Sequence, residues 1–364
     1  MSDILASIQK IIDIKPIEGA DRIELVTVQG WTCVISKKDN FKIDDLCIYF
    51  ELDSLLPEQP EFEFLRSKKF RIKTMKMIKG TVISQGLVFP LSILDSKWVE
   101  DKPKKIEEGI DVTKCLKVEK YLSVSEREER FDTTAKKKHN AFTKFMTRFS
   151  WYRKLTKTRS KSFPEFLSVT DEENCQKLSN YLEKYKDEVF YVAEKMEGSS
   201  ATFWYKKTGF FGNEFGICSR NVRKFEFDNS NWSRAARQMD IKKKLKSVRK
   251  DIAIQGELCG PSIQGNIYNL SDLELFVFNV YDIKAKRYYT LNEMILFCEI
   301  FGFKTVPILD TNFKLFPTVE EMLNYSNGKS VLYDTKREGV VFRTHDRKIS
   351  FKARSPEYLS TSEI

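Results

Sequence analysis

Histidine is almost absent from this 364-residue sequence, which contains only His139 and His345. A mechanism that needs several histidines, as proton carriers or as zinc ligands, is therefore disfavoured. The seven cysteines include no CxxC pair and no other metal-ligand spacing, so neither a disulfide framework nor a zinc site is expected. Scattered cysteines of this kind are typical of a reducing compartment.

Long apolar runs are absent as well. No stretch is long and apolar enough to cross a bilayer, and Met1-Ser2-Asp3 does not open a signal peptide. We therefore expect no membrane partner and a cytoplasmic or nuclear location. Hydrophobic residues make up 41% of the chain and charged residues 31%, which suits a globular protein with a buried core. The length suggests two domains, with or without a linker element.

Acidic residues are missing from one long window. Between Thr133 and Pro164 there are ten Lys or Arg residues and no Asp or Glu, in a chain whose net charge is +10. Such a basic stripe usually binds a polyanion, most often nucleic acid, although a solvated charged linker is the alternative. Inside the window, aromatic residues at helical spacing over His139–Leu155 predict an amphipathic helix with a basic face. Membrane-surface binding competes with that interpretation, but no lipidation motif accompanies it.

The first hundred residues alternate in the manner of short strands separated by turns. The predicted strands are Ile8–Ile14, Ile23–Val28, Trp31–Ile35, Cys47–Leu52 and Thr81–Phe89. So many short strands in so few residues favour a small β-barrel, and an OB fold is the member of that class suited to a nucleic-acid protein. Seven Lys or Arg residues and no acidic residue lie between Arg66 and Lys79. They could line a phosphate-backbone groove or simply form the polar exterior of the barrel.

From Phe163 onward, strands and helices are mixed. Hydrophobic periodicity and capping residues predict helices over Asp171–Lys186, Asn231–Lys250, Leu291–Phe301 and Val319–Asn324. Strands are predicted over Ala253–Leu258 and Leu275–Tyr281. This second part of the chain is therefore expected to be α+β.

Lys195 stands in the segment Glu194-Lys195-Met196-Glu197-Gly198, between two apolar runs that predict strands. A lysine can attack a phosphorus atom, although only as the neutral amine. Gly198 permits a close approach of backbone or ligand. A short charged pattern of this type is more often a solvated turn, so its interpretation depends on the segments downstream.

Five further segments follow in order: Ser219-Arg220-Asn221, Gly256-Glu257-Leu258-Cys259-Gly260, Phe276-Val277-Phe278-Asn279-Val280-Tyr281-Asp282, Glu338-Gly339-Val340-Val341-Phe342-Arg343 and Ser350-Phe351-Lys352-Ala353-Arg354. The ordered set resembles motifs I, Ia, III, IIIa, IV and V of the covalent nucleotidyltransferases, which include RNA ligases, DNA ligases and mRNA capping enzymes. Within that superfamily the chain resembles the ATP-dependent RNA ligases with an N-terminal OB domain. The resemblance covers about residues 160 to 355, and the segments 15–23 and 84–90 extend it into the first hundred residues.

The resemblance makes Lys195 the nucleophile that attacks the α-phosphorus of ATP and becomes lysyl-AMP. It gives Glu194 a contact with the adenine amino group, which favours ATP over GTP, and Glu197 a contact with a ribose hydroxyl or metal-bound water. Arg220 is expected near the ribose or the RNA terminus, because a guanidinium fork suits hydroxyl and phosphate oxygens. Taken alone, Glu197 and Arg220 would more often form ordinary ion pairs.

Glu257, Phe278 and Glu338 extend the nucleotide-binding set that the resemblance implies. Phe278 would stack on the adenine ring, although a Phe in an apolar strand is more often a core residue. Glu197, Glu257 and Glu338 would hold Mg or Mn, in all three cases through water molecules. ATP and one of these metals are thus the implied cofactors.

Lys352 resembles the motif V lysine that contacts the α-phosphate while negative charge builds on phosphorus, and it joins Lys195 as a predicted catalytic residue. The sequence departs from the family pattern in two places. The common Lys-x-Lys is Lys352-Ala353-Arg354 here, so that Arg354 keeps the charge of its nucleotide contact without the shape of lysine. Ser200 stands where some RNA ligases have asparagine.

These inferences predict an α+β protein. An OB-like β-barrel over residues 1–100 is followed by a basic linker with an amphipathic helix over 101–160. A ligase-type nucleotidyltransferase domain with antiparallel sheets, unrelated to ATP-grasp, occupies 161–364. The expected activity is ATP-dependent joining of a 3′-hydroxyl to a 5′-phosphate through lysyl-AMP, on RNA that forms a nicked duplex, by a monomer.

Two alternatives remain at this point. A DNA ligase or capping-type nucleotidyltransferase shares these motifs, but both commonly place the OB domain after the catalytic domain, whereas few residues follow motif V here. An RNA-binding protein with a decayed active site is the other alternative, and the complete set of motifs argues against it.

Overall fold

The computed structural model describes residues 4–78, 82–121, 163–209 and 212–361. The described residues form two compact units, each built from segments that are distant in sequence. The first unit holds the described residues within Met1–Tyr121, Glu172–Lys195 and Pro307–Ile364, and the second holds the described residues within Leu122–Asp171 and Met196–Val306.

Several predictions from the sequence fall outside the described residues. These are the amphipathic helix over 139–155, the basic window 133–164 apart from its last two residues, and Lys79 at the end of the basic run in the N-terminal part. The predicted linker is described only as far as Tyr121.

The strands are β1 (Ala6–Pro16), β2 (Ile23–Val28), β3 (Trp31–Ser36), β4 (Leu46–Phe50), β5 (Ser54–Leu55), β6 (Met75–Met77), β7 (Val82–Ser84), β8 (Leu87–Pro90), β9 (Glu119–Lys120), β10 (Glu173–Asn174), β11 (Phe190–Lys195), β12 (Ser199–Thr208), β13 (Gly212–Cys218), β14 (Arg223–Lys224), β15 (Ile252–Cys259), β16 (Glu274–Asp282), β17 (Arg287–Tyr288), β18 (Lys304–Thr305), β19 (Ile308–Phe313), β20 (Gly339–Thr344) and β21 (Ser350–Arg354). The α-helices are α1 (Ser179–Lys184), α2 (Asn231–Gln238), α3 (Ile241–Ser247), α4 (Leu291–Phe301), α5 (Val319–Ser326) and α6 (Pro356–Leu359). Short 3-10 helices lie at Lys37–Asp39, Pro60–Lys68, Leu91–Asp95 and Cys175–Lys177.

The N-terminal sheet has the order β3-β2-β1-β4-β8, and all of its neighbouring strands are antiparallel. In β3, the buried residues Trp31, Cys33 and Ile35 alternate with half-buried ones, which is the pattern of a strand with one face on a core. The backbone N–H of Gln85 donates to the carbonyl of Thr32 at 2.7 Å, which links β3 to the segment between β7 and β8. This arrangement confirms the predicted OB-like barrel.

Residues after the predicted barrel boundary pack into the same core. Val112 and Leu116 are buried in the cluster that contains Phe50 and Phe62. The hydroxyl of Thr113 accepts the backbone N–H of Leu5 at 2.9 Å. The segment up to residue 121 therefore adds to the hydrophobic core of the barrel, while the domain limits at residues 100 and 160 stay predictions.

A second sheet of the first unit has the order β10-β21-β20-β11-β19. Its strands are antiparallel apart from the short parallel pair of β10 with β21. Five residues of β11, from Phe190 to Glu194, are buried, so this strand is a central one covered on both faces. The sheet packs through Phe190, Phe342 and Phe351 on an aromatic core that includes Phe313 from β19.

The second unit contains a sheet with the order β14-β13-β12-β15-β16-β17, and β18 pairs with β16. Helices α2, α3 and α4 pack against β13, β12 and β16, respectively. Trp204 and Ala253, which lie opposite each other on β12 and β15, pack with Leu167 and Phe166 from the segment before motif I. The two largely antiparallel sheets confirm the predicted α+β fold class.

The helix predicted over Asp171–Lys186 is wrong in its first half. Glu173 and Asn174 pair with Phe351 and Lys352 as the edge strand β10, and a helix begins only at Ser179. Strand pairing and the burial of the segment that follows therefore outweigh local helix propensity.

The helix predicted over Asn231–Lys250 is two helices. Asp240 adopts a left-handed conformation, with φ 52° and ψ 32°, and separates α2 from α3. Asp tolerates this conformation better than most residues. The described part of the predicted strand Thr81–Phe89, from Val82 onward, is likewise divided into β7 and β8, because the backbone N–H of Gln85 donates to the carbonyl of Thr32.

Contacts inside the first unit join the barrel to the second sheet. The ammonium group of Lys177, which follows β10, lies 2.6 Å from a carboxylate oxygen of Glu51 in the barrel. A Cβ atom on Gly30 would lie 2.7 Å from the carbonyl oxygen of Gln176, so glycine is needed at this close backbone approach. The barrel and the sheet that carries Lys195 thus share a packed interface.

Candidate active site

Lys195 is the last residue of β11 and the only partly exposed one, with 24% of its side chain accessible. Antiparallel pairing places Lys195 opposite Gly339 at the start of β20, and Gly339 opposite Arg354 at the end of β21. Because paired residues of neighbouring strands lie side by side, motifs I, IV and V meet at one end of this sheet. The sequence separation between the outer two is more than 150 residues.

Glu338 is the centre of this meeting point. Lys195 Nζ donates to Glu338 Oε2 at 2.6 Å, and Arg354 Nε lies 3.5 Å from Glu338 Oε1 as an ion pair. Burial by itself would raise the pKa of Glu338, but the positive charges of Lys195, Arg354 and Lys352 outweigh it and lower that pKa. Glu338 is therefore a carboxylate held ionised between cations.

Lys352 and Arg354 lie two residues apart on β21, so both side chains point to the same face of the sheet. Each is half-buried, between the buried residues Phe351, Ala353 and Ser355. The motif V departure therefore has a structural role, because Arg354 contributes a second cation to Glu338.

Glu194 is 1% exposed, which is unusual for a carboxylate. Its Oε2 accepts the backbone N–H of Val331 at 3.0 Å. Within the described part of the chain, its Oε1 is buried without a hydrogen-bond partner. A buried acceptor of this kind is costly unless a ligand donates to it.

Glu197 is the first predicted site residue that belongs to the second unit. Its backbone N–H donates to Tyr268 Oη at 2.7 Å, and its carbonyl accepts from Cys259 Sγ at 3.4 Å. A Cβ on Gly198 would lie 2.5 Å from the carbonyl oxygen of Leu258, so only glycine lets the chain pass this close to β15. The turn after Lys195 is therefore fixed on β15.

Glu257 lies opposite Ser200 in the pairing of β15 with β12, and it is half-buried between Gly256 and Leu258, which are buried. The Ser200 hydroxyl lies 3.4 Å from the Thr170 hydroxyl. Serine therefore occupies the asparagine position of the family with a short polar contact of its own.

Phe278 is the extra residue of a β-bulge. Gly256 pairs with Val277 and Gln255 pairs with Asn279, which leaves Phe278 without an opposite residue on β15. Val277 and Asn279 are buried, whereas Phe278 is only half-buried. Bulges next to active sites re-aim side chains, so this geometry favours a ligand contact over a core position.

Arg220 follows β13 and forms an ion pair with Asp171 through Nη2. Its side chain is 39% exposed, so the residue remains accessible to a ligand. The neighbouring Ser219 is buried and donates its hydroxyl to the carbonyl of Val222, which fixes the turn that presents Arg220.

The predicted site residues fall into two groups. Glu194, Lys195, Glu338, Lys352 and Arg354 belong to the first unit, and Lys195, Glu338 and Arg354 are in direct contact there. The second unit contains the others, which are Glu197, Arg220, Glu257 and Phe278. In the described ranges, no three His, Cys, Asp or Glu residues cluster as metal ligands.

Comparison with known proteins agrees with this geometry. The sequence profile of an OB-fold domain matches residues 5–91, and that of RNA ligase matches residues 188–355. Solved structures of the Naegleria gruberi RNA ligase superpose on the chain. One with ATP and Mn is 31% identical, with a TM-score of 0.78, and the alignment covers 98% of both chains. The chain belongs to the RNA ligase family.

Two further structures of the Naegleria enzyme show the same likeness to this RNA ligase. One with AMP and Mn is 32% identical and one with PPi is 31% identical; both have a TM-score of 0.77 and cover 98% of each chain. A comparison with curated protein sequences finds no significant match. Among the described helices of the ligase, none has the length and apolar character needed to span a membrane.

Sequence reasoning missed three features of this RNA ligase site. The Tyr268 hydroxyl accepts the backbone N–H of Glu197, and the backbone N–H of Val331 donates to the Glu194 carboxylate. Neither Tyr268 nor Val331 lies in a motif. Arg343 forms a buried ion pair with Glu172, beside the motif V strand. A signal for the last was available, because Arg343 is the only charged residue of the otherwise uncharged strand β20.

Proposed function

We propose that this ATP-dependent RNA ligase works through a lysyl-AMP intermediate on Lys195. The observation that carries the proposal is the hydrogen bond of Lys195 to an ionised Glu338, with the buried Glu194 immediately before it in the strand. The Naegleria enzyme, about one third identical over nearly the whole chain, was solved with ATP and Mn and with AMP and Mn, which supports ATP and a divalent metal for this chain as well.

In the first step, the Lys195 amine attacks the α-phosphorus of ATP, a nitrogen–phosphorus bond forms and the bond to the pyrophosphate oxygen breaks. The amine must lose its proton for this attack, so its ion pair with Glu338 is the resting arrangement. Lys352 and Arg354 would stabilise the negative charge that builds on the phosphate oxygens.

Three residues would position the nucleoside. The buried Oε1 of Glu194 would accept the adenine amino group, and Phe278 at the bulge would stack on the ring. Arg220 would bind the ribose or the RNA terminus while Asp171 holds one edge of its guanidinium group.

A divalent metal fits the donors that the chain offers. Glu197, Glu257 and Glu338 supply carboxylate oxygens, the ligand type that Mg and Mn prefer. Glu338 is already engaged by two cations, so its contact with a metal would pass through water, as the sequence predicts for all three. When bound, the metal would supply charge neutralisation on the triphosphate.

The remaining steps concern RNA. AMP would pass from Lys195 to an RNA 5′-phosphate, and a 3′-hydroxyl would then attack that phosphate and release AMP. A nicked duplex is the proposed substrate, bound by the OB-like domain through phosphate contacts, and the enzyme would act as a monomer. A cytoplasmic or nuclear location also stays a prediction.

The first test is covalent labelling with α-labelled ATP and Mg or Mn. We expect label on the wild type and none on Lys195→Ala, because the substitution removes the only nucleophile of the first step. Parallel labelling with GTP separates ligase from capping chemistry. If folded wild type takes no label with either metal, the proposal is wrong and the RNA-binding alternative replaces it.

Sealing comes second. Labelled enzyme is offered nicked duplexes with all-RNA, all-DNA or RNA 3′-ended strands. Joining restricted to nicks with RNA ends supports the proposed substrate, whereas equal sealing of all-DNA nicks would contradict it.

A further inference from the structure

The carboxylate of Glu194 is held by a distant loop. The backbone N–H of Val331 donates to Glu194 Oε2 at 3.0 Å, across 137 positions of sequence. The same strand end is fixed from the other side, because the backbone N–H of Glu194 donates to the carbonyl of Pro307 at 2.8 Å. Glu194 is thus positioned by two elements that contain no recognised motif.

The loop that provides this N–H, residues 328–337, is closed on itself. The backbone N–H of Arg337 donates to the carbonyl of Gly328 at 3.0 Å, and the backbone N–H of Ser330 donates to the carbonyl of Thr335 at 2.8 Å. Lys329 and Lys336 form a β-bridge between its two sides. The two hydrogen bonds define this bridge, so they close the loop and present Val331 in a defined position.

Arg337 also anchors the loop to the end of α5. Its guanidinium group donates to the carbonyls of Tyr325 and Asn327 at 2.6 Å each and to that of Ser326 at 3.0 Å. These are carbonyls at a helix C-terminus, which lack partners within the helix and favour a cation. One arginine therefore ties the loop to a rigid element.

Val331 acts through its backbone. Its side chain is 61% exposed and Leu332 beside it is 48% exposed, whereas the Glu194 carboxylate that the Val331 N–H reaches is buried. The side chain contributes little to the core, so the contact with Glu194 is what the loop offers the site.

We propose that the loop 328–337 sets base selectivity in this ligase, with the Val331 N–H as the positioning group for Glu194. The proposal rests on the proposed function. One oxygen of the carboxylate accepts from a fixed donor, which restrains the carboxylate and leaves its other oxygen buried and available as an acceptor in a defined place. Adenine meets that acceptor with an amino group, whereas guanine presents a carbonyl oxygen that the carboxylate repels.

The test removes the N–H and reads selectivity. Lysyl-AMP formation is measured over a range of concentrations of ATP and of purine riboside triphosphate, which is ATP without the amino group. Val331→Pro should raise the KM for ATP about tenfold, the usual effect of losing a hydrogen bond to a charged group, and lower kcat much less. The KM for the analogue should hardly change, because it never used the Glu194 acceptor.

Proline at this position could distort the loop, so a second variant keeps the side chain. Replacing Val331 by its α-hydroxy acid turns the amide into an ester, which removes the N–H and keeps the side chain; the weaker acceptor strength of the ester carbonyl is shared by the control. The matched control is the same replacement at Leu332, whose N–H donates to the Ser330 hydroxyl at 3.3 Å, within the loop. We expect the preference for ATP over the analogue to fall about tenfold with the ester at 331 and to remain with the ester at 332.

Two results would overturn the proposal. An unchanged ATP preference in the Val331 ester shows that the N–H does not position Glu194. An equal loss in both esters shows general loop disruption instead. If the wild type forms no lysyl-AMP, the proposed function fails separately, and the same variants are compared by equilibrium binding of ATP and the analogue, which still decides the role of Val331.

Discussion

Glu338 lies between Lys195 and Arg354, and each of its two carboxylate oxygens forms an ion pair with one of these cations. Its pKa lies below the usual value of 4.5, since these cations and Lys352 outweigh the effect of burial. A carboxyl group whose pKa is lowered on folding stabilises the protein above its unfolded pKa, and that stabilisation is lost as the pH falls through the folded pKa.

Glu338→Gln should therefore lower the free energy of unfolding by about 2 kcal/mol at pH 7, as expected for losing a charge-assisted hydrogen bond. The difference from wild type should shrink as the pH falls below 4.5 and through the lowered pKa of the folded protein, where the wild-type carboxylate becomes protonated as well. Urea unfolding at pH 7 and at lower pH measures both effects.

Glu183→Gln is the control, because Glu183 forms an ion pair with Lys186 at 2.6 Å in which both side chains are exposed to solvent. It should follow wild type at every pH, since exposed pairs contribute little. A constant deficit of Glu338→Gln across the whole pH range would contradict the prediction that its carboxylate is the stabilising form.

Candidate site residues could be recognised in the sequence wherever a motif is local, while their roles stay predictions. The pattern that marks Lys195, Glu197 and Gly198 spans only five consecutive positions. The partner of Glu194 could not be predicted, because a backbone N–H carries no sequence signal and Val331 lies far along the chain. Tyr268 was missed for the same reason, since its hydroxyl binds a backbone N–H rather than a motif side chain.

The short strand β10 depends on a buried ion pair. Arg343 on β20 is 5% exposed and bonds to Glu172, just before β10, and to the Ser350 hydroxyl at 3.2 Å. Burial disfavours the charged form of both residues. The opposite charge of the partner outweighs the effect of burial in each case, so the pKa of Arg343 is raised and the pKa of Glu172 is lowered.

Arg343→Met should cost about 3–5 kcal/mol of unfolding free energy, because it leaves the Glu172 carboxylate buried without its guanidinium partner. Adding Glu172→Gln to that variant should restore part of the loss, since the uncompensated charge is then gone. Urea denaturation of the two single variants and the double variant completes the cycle.

Arg287→Met supplies the matched comparison, because Arg287 makes a two-pronged ion pair with Glu293 on an exposed surface. Its effect should be far smaller. Additive losses in the Arg343 cycle would mean that the two residues act independently, which the geometry does not allow.

Elements were predictable where capping residues mark their ends. Leu291–Phe301 begins at a Thr290–Glu293 capping box and ends at the left-handed Gly302, and the prediction is confirmed to the residue. The helix predicted from Asp171 failed because Glu173 and Asn174 pair with a strand that lies far downstream. Local signals decide an element only when no distant partner competes for its backbone.

At the scale of the whole first unit, the barrel and the second sheet meet where Gly30 approaches Gln176. Gly30→Ala should destabilise the protein by about 1–3 kcal/mol, because the added methyl group would have to displace backbone rather than a flexible side chain. Thermal or urea unfolding measures the loss.

Gly265→Ala is the control for that substitution, since its Cβ would meet only a side-chain methyl of Ile267 at 3.7 Å. It should be tolerated. Equal stability of both variants would show that the barrel and the sheet separate easily, against the packed interface of Lys177 and Glu51.

The order of segments in the first unit also has a consequence for biosynthesis. Strand β11, which ends at Lys195, lies between β19 and β20, and both neighbours are synthesised only after the whole second unit. While the chain is still growing on the ribosome, the nucleophile therefore exists for more than a hundred residues without Glu338 or Lys352. Domains generally fold as units during synthesis. The second unit can therefore fold before β19 and β20 have been synthesised. Nascent chains that lack β21 should therefore be inert toward ATP, because they lack Lys352 and Arg354.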